Sequence, residues 1–69
     1  MKVKYDSEAD ALYIEIKDTT VTTKRLDQDI SIDYDAEGRI AGIEILSAGE
    51  RVFGGDKKRG VLLENLHAV

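Results

Sequence analysis

Residues 33–44 read DYDAEGRIAGIE, and two local structures compete for them. Against the calcium-loop template of an EF-hand, Asp33, Asp35 and Glu37 take the first, third and fifth places. Gly38 takes the sixth, Ile40 the eighth and Glu44 the twelfth. Such a loop works because two helices hold it and the twelfth residue closes a bidentate clamp from the exiting helix. The flanks here are ISIDY and IAGIEIL, which alternate with period two and carry no helical stripe. A β-hairpin explains the same letters: acidic residues are well tolerated in an exposed turn, and Gly38 supplies the left-handed residue that a DAEG turn requires. In that geometry Asp33 and Glu44 become near cross-strand neighbours that repel rather than enclose an ion. The stretch is therefore read as strand–turn–strand.

Working outward, period two dominates the chain. In KVKY, Val3 and Tyr5 share a face opposite Lys2 and Lys4. In ALYIEI, Leu12, Ile14 and Ile16 lie together; in DISIDY, Ile30, Ile32 and Tyr34 do. Such alternations, rich in β-branched and aromatic residues, are strand signals. VTTKRL at 21–26 is more polar and suits a sheet edge. In IAGIEIL at 40–46 the alternation slips, with Ile43 and Ile45 on one face and Ile40 on the other. Gly42 sits at the slip and is read as a bulge. Short turn signals separate these runs: DSEAD at 6–10, KDTT at 17–20, DQ at 27–28 and DAEG at 35–38. Connections this short imply antiparallel neighbours. The expected fold is mostly β (α+β): a five-stranded antiparallel meander with strands at 2–5, 11–17, 21–26, 29–35 and 39–46. The glycine-rich stretch after Leu46 reads as a loop, with RVF at 51–53 a short extended piece. VLLENLHAV at 61–69 places Leu62, Leu66 and Val69 at helical spacing, so a short C-terminal helix at 61–67 is expected to cover one face of the sheet. The expected core is Val3, Tyr5, Leu12, Ile14, Ile16, Ile30, Ile32, Ile43, Ile45 and Leu62 or Leu66.

A single domain over residues 1–69 is as much as 69 residues allow. A chain this short buries roughly 60% of the surface its unfolded form exposes, and small domains compensate with disulfides, metals or association. There is no Cys and one His, which excludes disulfides and thiolate metal sites and makes structural zinc a poor fit. Association remains, and a homodimer is expected, burying the apolar face or pairing edge strands. The absence of Cys, the lack of an apolar leader in MKVKYDSEAD and the lack of a spanning apolar run point to the cytoplasm.

Net charge is −4, unevenly spread: residues 1–56 hold 13 acids and 7 bases, whereas residues 57–69 hold three bases and one acid. An acidic body disfavours nucleic-acid backbone binding. It suits solubility first, and a basic protein partner second. The short basic run Lys57, Lys58 and Arg59 reads as a solvated loop.

No catalytic constellation emerges. Asp6 with Asp10 could pair as acid and base, but a solvated turn does not split two carboxylate pKa values. Asp6 and Ser7 are ordinary turn formers. His67 lies near the chain end, and no nucleophile elbow surrounds Ser7, Ser31 or Ser47. GGDK at 54–57 lacks the phosphate-loop frame. No enzyme activity, cofactor or metal is expected.

The opening YDSEADALYI, with Tyr5, Asp6, Ala9, Asp10, Leu12, Tyr13 and Ile14, resembles the start of the DUF2283 family of small bacterial and archaeal proteins. The block Asp33, Asp35, Gly38, Arg39, Ile40, Gly42, Ile43, Glu44, Ile45 and Leu46 is similar to that family's second motif. The resemblance covers about residues 1–50. It implies a small β-rich fold and no established activity. Proteins of this kind are often encoded beside a DUF4258 protein, which implies an antitoxin-like or partner-binding role by association. The expected function is thus a small acidic interaction module, with Asp6, Glu8, Asp10, Asp35 and Glu37 in the acidic turns as candidate partner contacts. The alternative is a small-ligand or weak metal-ion binder using the same turns.

Overall fold

The computed structural model describes residues 1–55 of the chain. The helix expected at 61–67, the core positions Leu62 and Leu66, the basic run 57–59 and His67 lie outside the described residues. Five strands form in order: β1 (Lys2–Asp6), β2 (Ala11–Glu15), β3 (Thr22–Arg25), β4 (Ile30–Tyr34) and β5 (Ile40–Ile45), followed by a one-turn helix, α1 (Ala48–Arg51). They make one antiparallel sheet, as the alternation predicts, in the spatial order β1-β2-β5-β4-β3.

That order refines the simple succession. The turns at 6–10, 26–29 and 35–39 close hairpins, but the link after Glu15 does not. It carries the chain past the start of β5 and the end of β4 to the far edge. The amides of Ile16 and Lys17 both donate to the Ala41 carbonyl on the way, at 2.8 and 3.0 Å. β2 thereby pairs with β5 along Leu12↔Ile45, Tyr13↔Glu44, Ile14↔Ile43 and Glu15↔Gly42. β3 becomes an edge strand, exposed along its length, which agrees with its Thr and Lys content.

The register sorts the side chains into two unlike faces, because directly opposed residues point the same way. Val3, Ile14, Ile43 and Ile32 form one cross-strand row, and Tyr5, Leu12, Ile45 and Ile30 the next. The other face carries Lys4, Tyr13, Glu44, Ser31 and Arg25 in one row, and Lys2, Glu15, Gly42, Asp33 and Thr23 in another. The bulge falls where the alternation slips. Asp33 pairs with Gly42 and Tyr34 with Ile40, so Ala41 is the extra residue of β5. This brings Ile40 back into line with Tyr34, Ile32 and Ile30.

The core sits at one end of the apolar face. Leu12, Ala48 and Phe53 are buried, with Val3, Tyr5 and Ile45 packed around them. The Phe53 ring meets the Tyr5 ring edge-to-face at 5.3 Å, a favourable aromatic geometry. Two expectations are corrected here. The loop expected after Leu46 holds α1, and RVF is not extended: Arg51 ends the helix and Phe53 turns inward. Ile16, expected in the core, is 43% exposed. It lies just past the end of β2, far from the α1 end, where no described residue covers the sheet.

This gradient of burial is measurable. Leu12→Ala should cost about 2–5 kcal/mol, as buried leucines do. Ile16→Ala should cost clearly less, about 1 kcal/mol or below, because that side chain is 43% exposed within the single chain. Urea unfolding monitored by circular dichroism compares the two, and equal losses would contradict the described core.

Candidate functional site

The acidic turns come first, since they carry the candidate contacts. Asp6 uses Oδ1 to accept the amides of Glu8 and Ala9, at 3.0 and 3.3 Å, which holds the β1–β2 turn as an Asx turn. Asp10 has a left-handed backbone, φ 52. Its Oδ1 accepts the Tyr5 hydroxyl at 2.7 Å and the Gly49 amide at 2.8 Å, and its carbonyl accepts the Ala48 amide at 3.0 Å. Helix α1 has Ser47 at its N-cap position, without a side-chain capping bond. Asp10, from a turn 39 residues away in sequence, satisfies the first free amides of that helix instead, the service an N-cap renders locally.

Asp35 has the same character. Its Oδ1 accepts the amides of Arg39 at 2.9 Å and Glu37 at 3.0 Å, and its Oδ2 meets Lys17 Nζ at 3.4 Å. Gly38, at φ 80, completes the turn, and its amide donates to the Asp35 carbonyl. The amide of Arg39, then that of Glu37, then Lys17 hold the Asp35 carboxyl below the usual carboxylate range. Glu8 and Glu37 are exposed.

The fold does not bring the two acidic turns together. The β1–β2 turn lies at the α1 end of the sheet and the β4–β5 turn at the other, separated by the length of a five-residue strand, roughly 17 Å. The EF-hand donors are likewise dispersed: Asp33 and Glu44 belong to the polar face, and Asp35 bonds its own turn. Among the described residues no three His, Cys, Asp or Glu side chains converge as a metal site.

The polar face holds the arrangement that sequence reasoning missed. Tyr13 on β2 reaches over β5 to donate its hydroxyl to Asp33 Oδ2 on β4 at 2.7 Å, while Thr23 on β3 donates to Asp33 Oδ1 at 2.6 Å. The Tyr13 ring crosses β5 at Gly42. A Cβ built on Gly42 falls onto the Tyr13 hydroxyl and within 2.7 Å of Cζ. Gly42 therefore serves close approach as well as the bulge. A glycine inside a strand run was the available signal, since it marks either feature. The Asp33 hydrogen bond, then burial and the neighbouring carboxylates, push Tyr13 up to about 12; the Asp10 bond does the same for Tyr5. Both tyrosines stay protonated donors through the physiological range.

Charge on the strands is partitioned. Lys2, Lys4, Lys24 and Arg25 all lie on the edge strands β1 and β3, whereas the central strands carry Glu15, Glu44 and Asp33 and no base. Glu15 and Asp33 flank Gly42 in one cross-strand row, and Glu44 lies diagonal to both in the next. At the α1 end, Arg51 meets half-buried Asp29 at 3.1 Å and exposed Asp27 at 3.5 Å, surface pairs worth little to stability. The amides of Asp29 and Ile30 and the charge of Arg51 hold Asp27 low. Among the described residues no helix is long and apolar enough to cross a membrane.

Two outcomes follow. Gly42→Ala should destabilise by about 1–3 kcal/mol through overpacking against Tyr13. In a Tyr13→Ala background the same change should be near neutral, so a thermal-denaturation double-mutant cycle should show strong coupling. For Asp35, the folded pKa lies below the ordinary 3.8. Its contribution is present above that value and lost as pH falls through the folded pKa. Asp35→Asn should therefore melt below the parent at pH 6, with the gap closing as pH falls below about 4.

Comparison with known proteins accords with this architecture. A match to the family described as "Protein of unknown function (DUF2283)" spans residues 2–48, from the first strand to the start of α1. The uncharacterized protein MJ0789 of Methanocaldococcus jannaschii is 43% identical over 67 residues, covering 96% of this chain and 54% of that protein. The chain thus spans about half the length of the curated relative it matches. No solved structure matches. The two motifs that carry the sequence resemblance are the residues that build the Asp10, Tyr13 and Asp35 tethers, and the chain belongs to the DUF2283 family.

Proposed function

We propose that this protein is a small, non-catalytic, acidic interaction module of the cytoplasm, binding a basic partner protein in an antitoxin-like manner. The observation that carries this reading is the charge partition of the sheet: Glu15, Glu44 and Asp33 sit on three adjacent central strands of one face, with the strand bases confined to the edges. A guanidinium or ammonium presented to the centre of that face meets the carboxylates of Glu15 and Glu44 and the Tyr13 ring that lies over Gly42. Opposed charge of this kind steers encounter and fixes register more than it adds affinity.

The non-catalytic part of the reading is supported by where the reactive groups are engaged. Both hydroxyls nearest Asp33 donate to it, and Asp10 and Asp35 hold backbone amides. Asp35, held by two amides and Lys17, favours its charged form and is a poor proton donor.

This reading centres the contact on the polar face rather than on the turns, with exposed Glu8 and Glu37 as rim charges at its two ends. A pull-down from the native host with the tagged protein should recover a stoichiometric basic protein that elutes as salt rises from 0.1 to about 0.5 M, where screening shortens to a few ångström. Glu15→Lys with Glu44→Lys should abolish recovery, and Glu8→Lys with Glu37→Lys should weaken it only modestly. Loss in the second pair alone would return the contact to the turns. Recovery of no basic partner would remove the reading.

A further inference from the structure

The opposite face of the sheet points to a different kind of contact, independent of the basic partner. Its burial falls steadily from one end to the other. At the α1 end, Leu12 is 4% exposed beneath Ala48 and Phe53. The middle row, Val3, Ile14, Ile43 and Ile32, is half-buried. At the Asp35 end, Ile16 and Ile40 are each 43% exposed. A sheet with an apolar face needs a second layer. Among the described residues that layer is one helical turn and one phenylalanine, which cover a corner.

We propose that the open part of this face packs against the same face of a second copy, giving a two-fold sheet-on-sheet dimer. Three observations select a second copy over a partner of other chemistry. No carboxylate lies on this face in any strand, so a basic protein finds no complement there. Among the described residues the only strand charge on it is Lys24, opposite Ile32 at the β3 edge, so two copies can oppose their aliphatic rows with the lysines at the rim. Five strands about 4.8 Å apart and about 17 Å long present a face of roughly 400 Å² in projection. Less the corner already under α1 and Phe53, and with side-chain relief added, two such faces hide on the order of 800 Å², the size of a small, concentration-dependent interface. Aligned sheets packed about 10 Å apart interdigitate rows of this kind.

The test uses the full chain in sedimentation-velocity runs from 1 to 200 µM. The parent should sediment as a dimer over most of this range. Ile16→Glu with Ile40→Glu changes residues already exposed in the single chain, and should keep the β-sheet circular dichroism while weakening dimerisation by about tenfold or more. Glu44→Lys, on the other face, should leave the dimer intact. A monomeric parent overturns the proposal. A dimer indifferent to the Ile16 and Ile40 changes also overturns it, placing association at the β1 or β3 edge. Should the double variant lose its fold, isotope-filtered NMR on a mixture of methyl-labelled and unlabelled parent decides. Intermolecular contacts from the Ile14, Ile40 and Ile43 methyls support the face-to-face dimer, and their absence in a dimeric sample overturns it. The basic-partner reading stands or falls separately, on Glu15 and Glu44.

Discussion

The pairing of β2 with β5 is the constraint on which this structure rests. Everything else in the sheet is local: β1 with β2 is one hairpin, and β3, β4 and β5 are two more in succession. The β1–β2 hairpin is marginal alone, as two-stranded ribbons are, and gains its sheet only by joining the three-stranded piece. The seam between Leu12–Glu15 and Gly42–Ile45 joins them, and the longest-range tethers of the described chain cross it. Tyr13 reaches over β5 to Asp33; Ile16 and Lys17 donate to Ala41; Lys17 meets Asp35; Ala48 and Gly49 donate to Asp10. Closing a loop of some thirty residues costs entropy that grows only slowly with length, but that cost falls on this one junction. A row of tethers there is therefore where the stabilisation is needed.

Those tethers explain the spelling of the two motifs. Tyr5, Asp6 and Asp10 build the turn on the β2 side and hold α1; Asp33, Asp35, Gly38 and Gly42 build the β5 side and make room for Tyr13. Residues that look like metal donors or an acid–base pair when read along the chain prove to be hydrogen-bond acceptors for backbone amides and tyrosine hydroxyls. An ionised carboxylate accepting amide bonds makes a stronger contact than a neutral acceptor. That is reason enough for aspartate at each of these places without invoking a ligand.

What was legible in the sequence follows the same division. Alternation is local, so the faces of Val3, Tyr5, Leu12, Ile14, Ile30, Ile32, Ile43 and Ile45 could be read correctly, as could the edge character of β3 and the bulge near Gly42. Partner choice is not local. Nothing in KDTT distinguishes a hairpin from a link that crosses two strand ends, because the deciding contacts are with Ala41 and Asp35, far along the chain. Phe53 was missed for a related reason. It stands among glycines without periodicity, and its place is set by Tyr5. Asp10 as a remote helix cap was invisible because α1 is one turn long and has no capping side chain of its own. The candidate contacts in the turns failed to converge for a topological reason: successive turns of an antiparallel sheet alternate between its ends, and residues 6–10 and 35–38 fall at opposite ones.

Assigning the motifs to the seam changes what kinship with this family can carry. If Tyr13, Gly42, Asp33, Asp10 and Asp35 are all engaged in joining two halves of a sheet, a chain that shares them shares a scaffold, and the sharing says nothing about what the scaffold touches. Function then belongs to positions the seam leaves free: Glu15 and Glu44 on the polar face, Ile16 and Ile40 on the apolar one, Glu8 and Glu37 at the two ends. Their side chains, unlike the backbones of Glu15, Ile16 and Glu44, take no part in the seam, so they can change at modest cost to the fold. The polar face is closed by its own hydroxyl and carboxylate network, and any partner there must be recognised by charge. The apolar face is closed only at the α1 end, and any partner there must supply the missing layer. One five-stranded sheet thus offers two surfaces governed by different forces, one weakened by salt and the other little affected by it, so that binding at each can be separated in solution by ionic strength alone.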